Sequence, residues 1–342
     1  MPITPRPSSP RTAREWIECG HHFAASTRIE DLSRALLCYD RARTVCDPSE
    51  SNPAPLRDLG LAWMNRGNIL QQPGPHYDCV AALNAYDQAL VVFFAIPDAT
   101  PDLINTIATV YLNRGRAHQR LLSIAEASKD YRKARETLRP LVASGDFAAI
   151  RNFAGATVNF GQIQLDSAAP DAELTDTFLS TRAALTPFTD SDAVAATLAL
   201  ELSRLELVLR ERTLTRDSLG DFTDTLEVAL ALAASWAPRS HPTALDAATQ
   251  LFRLGATAYA ECQPQFLLEF LREALDPASG TAPFASFPTF HTVAADALDS
   301  LRLELNRTRV FDAEIETSHR LAAIIQDLNQ PTAWLKPRLI SS

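Results

Sequence analysis

The sequence predicts an all-α protein, a right-handed α-α superhelix of stacked antiparallel helical hairpins, and three observations predict it. First, a motif recurs: Leu61–Asn68 reads LAWMNRGN and Tyr111–Ala117 reads YLNRGRA, so an Asn-Arg-Gly core returns 48 residues later. Repetition at such a period marks stacked supersecondary units. Second, each copy is followed by an Ala-x-x-x-Tyr-x-x-Ala run, which sets three residues on one face of a second helix. Third, the chain has only 11 Gly in 342 residues and lacks the alternating runs with turn dipeptides that announce strands.

The elements follow in order. Residues 1–13, with their prolines and no apolar run, are expected to be a disordered tail and not a secretory signal. The first hairpin carries Trp16 and Gly20, then Ala35, Tyr39 and Ala42. The second carries Gly67, a long turn over Gln71–Tyr77, then Ala82, Tyr86 and Ala89. The third carries Gly115, a shorter turn, then Ala127, Tyr131 and Ala134. A glycine inside a helix costs about 1 kcal/mol relative to alanine. A cost repeated in register implies a close helix crossing at each copy, with the aromatic filling the space beside it. Pro48, Pro97 and Pro140 are expected to mark the exits from the second helices. A weaker fourth copy starts at Asn159-Phe160-Gly161, with a second helix near Glu173–Leu185 bearing Leu174 and Phe178 and ended by Pro187.

Residues 14–190 therefore read as repeats, and 191–342 as a helical continuation or cap. There Asp190 or Ser191 is expected to cap a helix near Ala193–Arg212 with the stripe Leu198, Leu202, Leu205 and Leu209. Helices follow near Leu219–Trp236, Pro242–Cys262 and Gln265–Leu275. A loop over 276–288 and two further helices, near Thr289–Asn306 and Asp312–Leu328, complete the chain. Trp236 reads as a core residue at a helix end.

The first three hairpins resemble the tetratricopeptide repeat family. The family's first helix carries Trp or Tyr four residues before a Gly and Asn two before it, as do Trp63, Asn65 and Gly67, and Tyr111, Asn113 and Gly115. Its second helix carries the Ala, aromatic and Ala positions matched here. The resemblance is close over about 14–140 and loose over 150–188. It implies an α-solenoid that holds a peptide or partner protein on the face of its first helices.

Helical geometry locates that face at two before and one, four and five after each key Gly. The predicted peptide-binding residues are Asn65, Asn68 and Gln72, then Asn113, Arg116 and Arg120, then Asn159 and Gln162, with Gln71, Gln119 and Asp166 on the same face. Amides and guanidinium groups suit the backbone and acidic groups of an extended peptide.

Other chemistry is thinly represented. The net charge of −9 argues against nucleic-acid and anionic-membrane partners, which need a basic footprint. The longest apolar stretch, around Ala89–Ile96, is too short to span a bilayer. Five scattered cysteines suit reduced thiols in a cytoplasmic protein. Cys19-Gly20-His21-His22 is the one tight Cys/His cluster, without the second pair that a structural zinc site needs. No GxSxG, HExxH or P-loop motif occurs. No cofactor, metal or catalytic residue is expected. His291 with Asp296, or His319 beside Glu314 and Glu316, can be drawn as acid-base pairs, but helices full of charged residues produce such pairs by chance.

The expected function is thus a non-enzymatic interaction scaffold. A ligand-responsive sensor module is the alternative, and an enzyme with a site in the C-terminal half ranks below it. Phe284, Phe287 and Phe290 suggest a docking loop or an internal plug. The stripe Leu321, Ile324, Ile325 and Leu328 suggests either a homodimer contact or a face covered by the tail around Trp334.

Overall fold

The computed structural model describes residues 12–26, 28–46, 53–166, 173–212, 219–236, 246, 249–255, 268, 271–272, 275, 291–299, 302 and 312–328. All regular structure among them is helical, and no strand occurs among the described residues. The elements are α1 (Ala13–Ala24), α2 (Ile29–Val45), α3 (Pro53–Leu70), α4 (Cys79–Phe94), α5 (Pro101–Arg120), α6 (Ile124–Ala143), α7 (Phe147–Leu165), α8 (Leu174–Leu185), α9 (Ala193–Glu211) and α10 (Leu219–Trp236). A helix also spans Asp312–Leu328. The chain forms two compact units, Met1–Ile163 and Gln164–Ser342.

Helix starts follow local chemistry. Thr12 Oγ1 accepts from Glu15 N at 3.2 Å while Glu15 Oε2 accepts from Thr12 N at 3.0 Å, a reciprocal cap for α1. Asp78 caps α4, and Thr100 caps α5 with Pro101 behind it. Asp146 Oδ1 accepts from Ala149 N at 2.8 Å at the start of α7.

In the first unit α1 to α6 each pack on their chain neighbours, and α6 meets α7 where Leu138 and Leu141 lie with Ala149, and Ala134 with Ala156. The repeated residues are what hold the hairpins closed. A Cβ on Gly20 would lie 2.4 Å from Tyr39 Cε1, and one on Gly67 or Gly115 would lie 2.7 Å from the same atom of Tyr86 or Tyr131. Each tyrosine ring thus lies directly against a glycine backbone. Ala35, Ala42, Ala82, Ala89, Ala127 and Ala134 are all fully buried around these crossings. Gly60 repeats the arrangement against Phe93, at 2.4 Å, one heptad away on each helix. The turns differ as the sequence suggests. Between α5 and α6, Leu122 takes the left-handed conformation (φ 58°) and is 82% exposed.

Consecutive hairpins are tied by charge. Arg66 Nε on α3 donates to Asp40 Oδ1 on α2 at 3.2 Å, and Arg114 Nη1 on α5 donates to Asp87 Oδ1 on α4 at 2.6 Å. Each arginine precedes the key glycine, and each aspartate follows the key tyrosine of the hairpin before. At the next junction the chemistry changes sides: Arg132, which follows Tyr131, lies over the ring of Phe160, which precedes Gly161, at 5.7 Å. Arg114 also grips Asp130 on α6 through two bonds of 2.8 and 2.6 Å, joining α4, α5 and α6.

In the second unit α9 packs between α8 and α10. Its core gathers Leu200, Leu207, Phe222, Trp236, Phe252 and Leu271. The Trp236 indole donates to the Thr189 carbonyl at 2.9 Å, so it is a core residue at a helix end as expected. Leu321 and Ile325 belong to the same core, so that part of the C-terminal stripe is buried within the unit.

Three expectations need correcting. Pro140 does not end its helix: α6 runs on to Ala143, because proline lacks only its own donor and one freed carbonyl is tolerable near a helix end. The cap of α9 is Asp192, whose Oδ1 accepts from Ala195 N at 2.7 Å. The buried surface of α9 is also wider than its leucine stripe. Of the stripe only Leu202 and Leu205 are fully enclosed while Leu198 and Leu209 are half-buried, and Ala195, Ala199, Ser203, Glu206 and Leu207 are buried instead, since helices pack on more than one side of α9. Of the predicted tail over 1–13, Thr12 caps α1 and Ala13 begins it, and residues 1–11 lie outside the described residues, as do Cys262, the loop near 276–288, Phe284, Phe287, Phe290 and Trp334.

Candidate functional site

The first helices α3, α5 and α7 carry the predicted binding residues, and the structure sorts them into two groups. One group forms a ladder of bonds between successive first helices. Asn65 Nδ2 lies 2.9 Å from His21 Nε2 on α1 and is buried. Asn113 Nδ2 donates to Asn68 Oδ1 at 3.0 Å. Both rungs join the residue after one key glycine to the residue two before the next. Asn65 is therefore an interhelical residue with its side chain enclosed.

The tyrosines reach the same face. Tyr86 Oη stands 2.9 Å from Asn68 Oδ1 and 2.8 Å from Gln71 Oε1. A phenol has one proton, so it donates to one of these oxygens at a time. Tyr131 Oη donates to Gln119 Oε1 at 2.9 Å. Asn68, Gln71 and Gln119 thus turn their oxygens to a tyrosine tip and do not simply project away from the second helix. The sequence carried a signal for this: all three key aromatics are Tyr, and a role in packing alone would accept Phe.

The second group is less committed. By register, Arg116 and Asn159 should form the third rung, but they make no such bond. Arg116 is exposed and, among the described residues, its only hydrogen bond is a long one, 3.5 Å, to Asn113 Oδ1. Asn159 Nδ2 is buried and has no hydrogen-bond partner among the described residues. Arg120, one turn on from Arg116, donates to the Gln71 carbonyl. Neither arginine has an ion-pair partner among the described residues. Protein desolvation, and then the like charge of Arg120, pull Arg116 below the usual arginine range against the opposing pull of Tyr131 and Tyr86. Gln72 is exposed, Gln162 half-buried and Asp166 exposed.

The face therefore offers two cations without an ion-pair partner among the described residues and, on the next first helix, an unfilled buried amide donor. Such a surface can take up a carboxylate or another acceptor-rich anion. It holds no nucleophile–base pair.

The remaining candidates are placed as follows. His21 bonds to Asn65 and Cys19 faces Cys38, and no group of three or more His, Cys, Asp or Glu among the described residues is placed to hold a metal. His291 is fully buried while Asp296 is exposed, and His319 and Glu316 are exposed. The side chain of Glu314 lies outside the described residues. No described helix is long and apolar enough to cross a membrane. In the second unit a cavity of about 380 Å³ opens between Arg204 and Val208 of α9 and Asp246, Thr249, Gln250 and Arg253. Gln250 donates to Asp246 at 2.9 Å and Arg204 pairs with Glu201 at 3.0 Å.

Sequence reasoning missed one buried charge cluster. Glu206 is fully buried on α9 and accepts from Arg182, Arg210 and Thr225 at 2.9, 2.9 and 3.1 Å. The two arginines come from α8 and from one turn along α9, so only the fold reveals the convergence. It is a satisfied structural network, since each carboxylate oxygen is bonded.

No protein-family model matches the chain, and no curated protein is significantly similar to it in sequence.

Proposed function

We propose that the first unit is a tetratricopeptide-type binding module, non-enzymatic and cytoplasmic, that holds an extended peptide or protein segment carrying an acidic group. The ligand lies along α3, α5 and α7. Its acidic group meets Arg116 and Arg120, and its acceptors use the amides of Asn113 and Asn159. One observation carries this reading: the interhelical ladder runs from His21–Asn65 to Asn68–Asn113 and then lapses, leaving Arg116 without an anion and Asn159 Nδ2 without an acceptor among the described residues. A buried amide donor left unfilled costs about 1–3 kcal/mol, and a bound acceptor recovers that cost.

The test uses fluorescence polarisation with a library of extended peptides, each made with free and with amidated carboxyl groups. Acidic peptides should bind the wild type and lose at least tenfold in affinity with the Arg116→Glu/Arg120→Glu protein, whose helical circular dichroism should be unchanged. Binding that ignores peptide charge, or that survives the double substitution, would overturn the assignment.

A further inference from the structure

The contact of α1 with α2 at Gly20 and Tyr39 brings together the residues one position before each. These are Cys19 and Cys38, and the Cys38 thiol donates to Cys19 Sγ at 3.4 Å. The same register carries other chemistry elsewhere. In the second hairpin it holds Arg66 and Ala85. In the third it holds Arg114 and Asp130, which clamp α5 to α6 through two bonds. Cys38 is 4% exposed and Cys19 is half-buried. Cys46, by contrast, faces the Pro55 carbonyl.

We propose that Cys19 and Cys38 form an oxidisable pair, converted by a peroxide into a disulfide that clamps α1 to α2. Cys19, the more accessible sulfur, reacts first as the thiolate. It attacks one peroxide oxygen, the O–O bond breaks, and the departing hydroxide takes up a proton to leave as water, giving a sulfenic acid. Cys38 then attacks the Cys19 sulfur, the S–O bond breaks, and the Cys38 proton goes to the departing oxygen as a second water. Two thiols lose two electrons and two protons, and one peroxide becomes two waters. Burial first, and the contact with Cys19 second, push the Cys38 thiol up to about 12, which makes it a poor first attacker, and its contact with Cys19 Sγ places it to resolve the sulfenic acid. A disulfide needs a separation of about 2.05 Å, so the sulfurs close by roughly 1.4 Å.

The fully reduced full-length protein is exposed to hydrogen peroxide, quenched by alkylation and mapped by mass spectrometry. The expected product is a Cys19–Cys38 linked peptide, two hydrogens lighter than its parts and restored by dithiothreitol, with Cys46 and Cys79 still alkylated. Amide exchange through α1 and α2 should slow by roughly a hundredfold, the scale of chain entropy removed by closing a loop of this length. In Cys38→Ala, which places at 38 the residue that Ala85 supplies in the second hairpin, oxidation should stop at a dimedone-reactive Cys19. The proposal fails if Cys19 and Cys38 both stay alkylatable after peroxide treatment, or if Cys19 pairs with a different cysteine. The wild-type map decides the matter even where a variant folds poorly.

Discussion

Gly67 and Tyr86 stand so close that a methyl group on the glycine would lie 2.7 Å from the tyrosine's Cε1. The ring is fully buried and its hydroxyl is held by Asn68 and Gln71. Gly67→Ala should therefore destabilise the protein by about 1–3 kcal/mol, although alanine is the better helix former. Gly155→Ala on α7 is the control. Its Cβ would meet Leu112 at an ordinary 3.6 Å, so helix propensity wins and stability should rise by about 0.5–1 kcal/mol. Urea unfolding of the two variants checks both signs.

Arg114→Met removes the guanidinium that holds Asp130, whose side chain is 3% exposed. The buried carboxylate is left without its main partner, a loss of about 3–5 kcal/mol. Adding Asp130→Leu should recover most of it, because the unpaired charge disappears. A double-mutant cycle by denaturant unfolding measures the coupling, and independent effects of the two substitutions would contradict the clamp.

Burial raises Tyr39, Tyr86 and Tyr131 above the ordinary tyrosine range, with Arg116 and Arg120 opposing the shift at Tyr86. An acid whose folded value is raised favours its neutral form in the fold. The stability this contributes is complete below the unfolded value, near pH 10, and is lost as pH rises above it. Stability should fall above about pH 10, and these three phenols should ionise only on unfolding, a step visible in absorbance at 295 nm. Smooth titration of all tyrosines in the folded state would contradict the packing.

Asn159→Leu replaces a buried amide whose Nδ2 is unfilled with an apolar group of similar volume. The unliganded protein should gain about 1 kcal/mol while affinity for acidic peptides falls. Thermal unfolding and the polarisation assay measure the two effects. A loss of stability would mean that the amide serves the fold and not a ligand.

The hairpins were legible because their determinants are local. A glycine and an Ala-Tyr-Ala run at a fixed distance define one helix crossing, and no partner beyond the next helix is required. The binding face was legible only in part. Counting from the glycine found Arg116 and Asn159 but could not tell that Asn65 would be closed off by His21, 44 residues away. It also could not tell that tyrosine hydroxyls would reach the amides. Glu206 looked like one more charged residue on a helix, because its burial depends on Arg182 arriving from α8.

The junctions between hairpins also bear on assembly. Hairpins of identical design can stack in any order, or on those of another molecule, as beads can be threaded in any sequence. Here the first two junctions set an acid on the earlier hairpin against a base on the later one, while the third sets a base against an aromatic ring. If another molecule's α7 took the place of α5 on α4, its Phe160 would face Asp87, and if another molecule's α5 took the place of α7 on α6, its Arg114 would meet Arg132. The junctions act as keyed connectors, so the order of the parts is written into their mating surfaces as well as into the chain that links them.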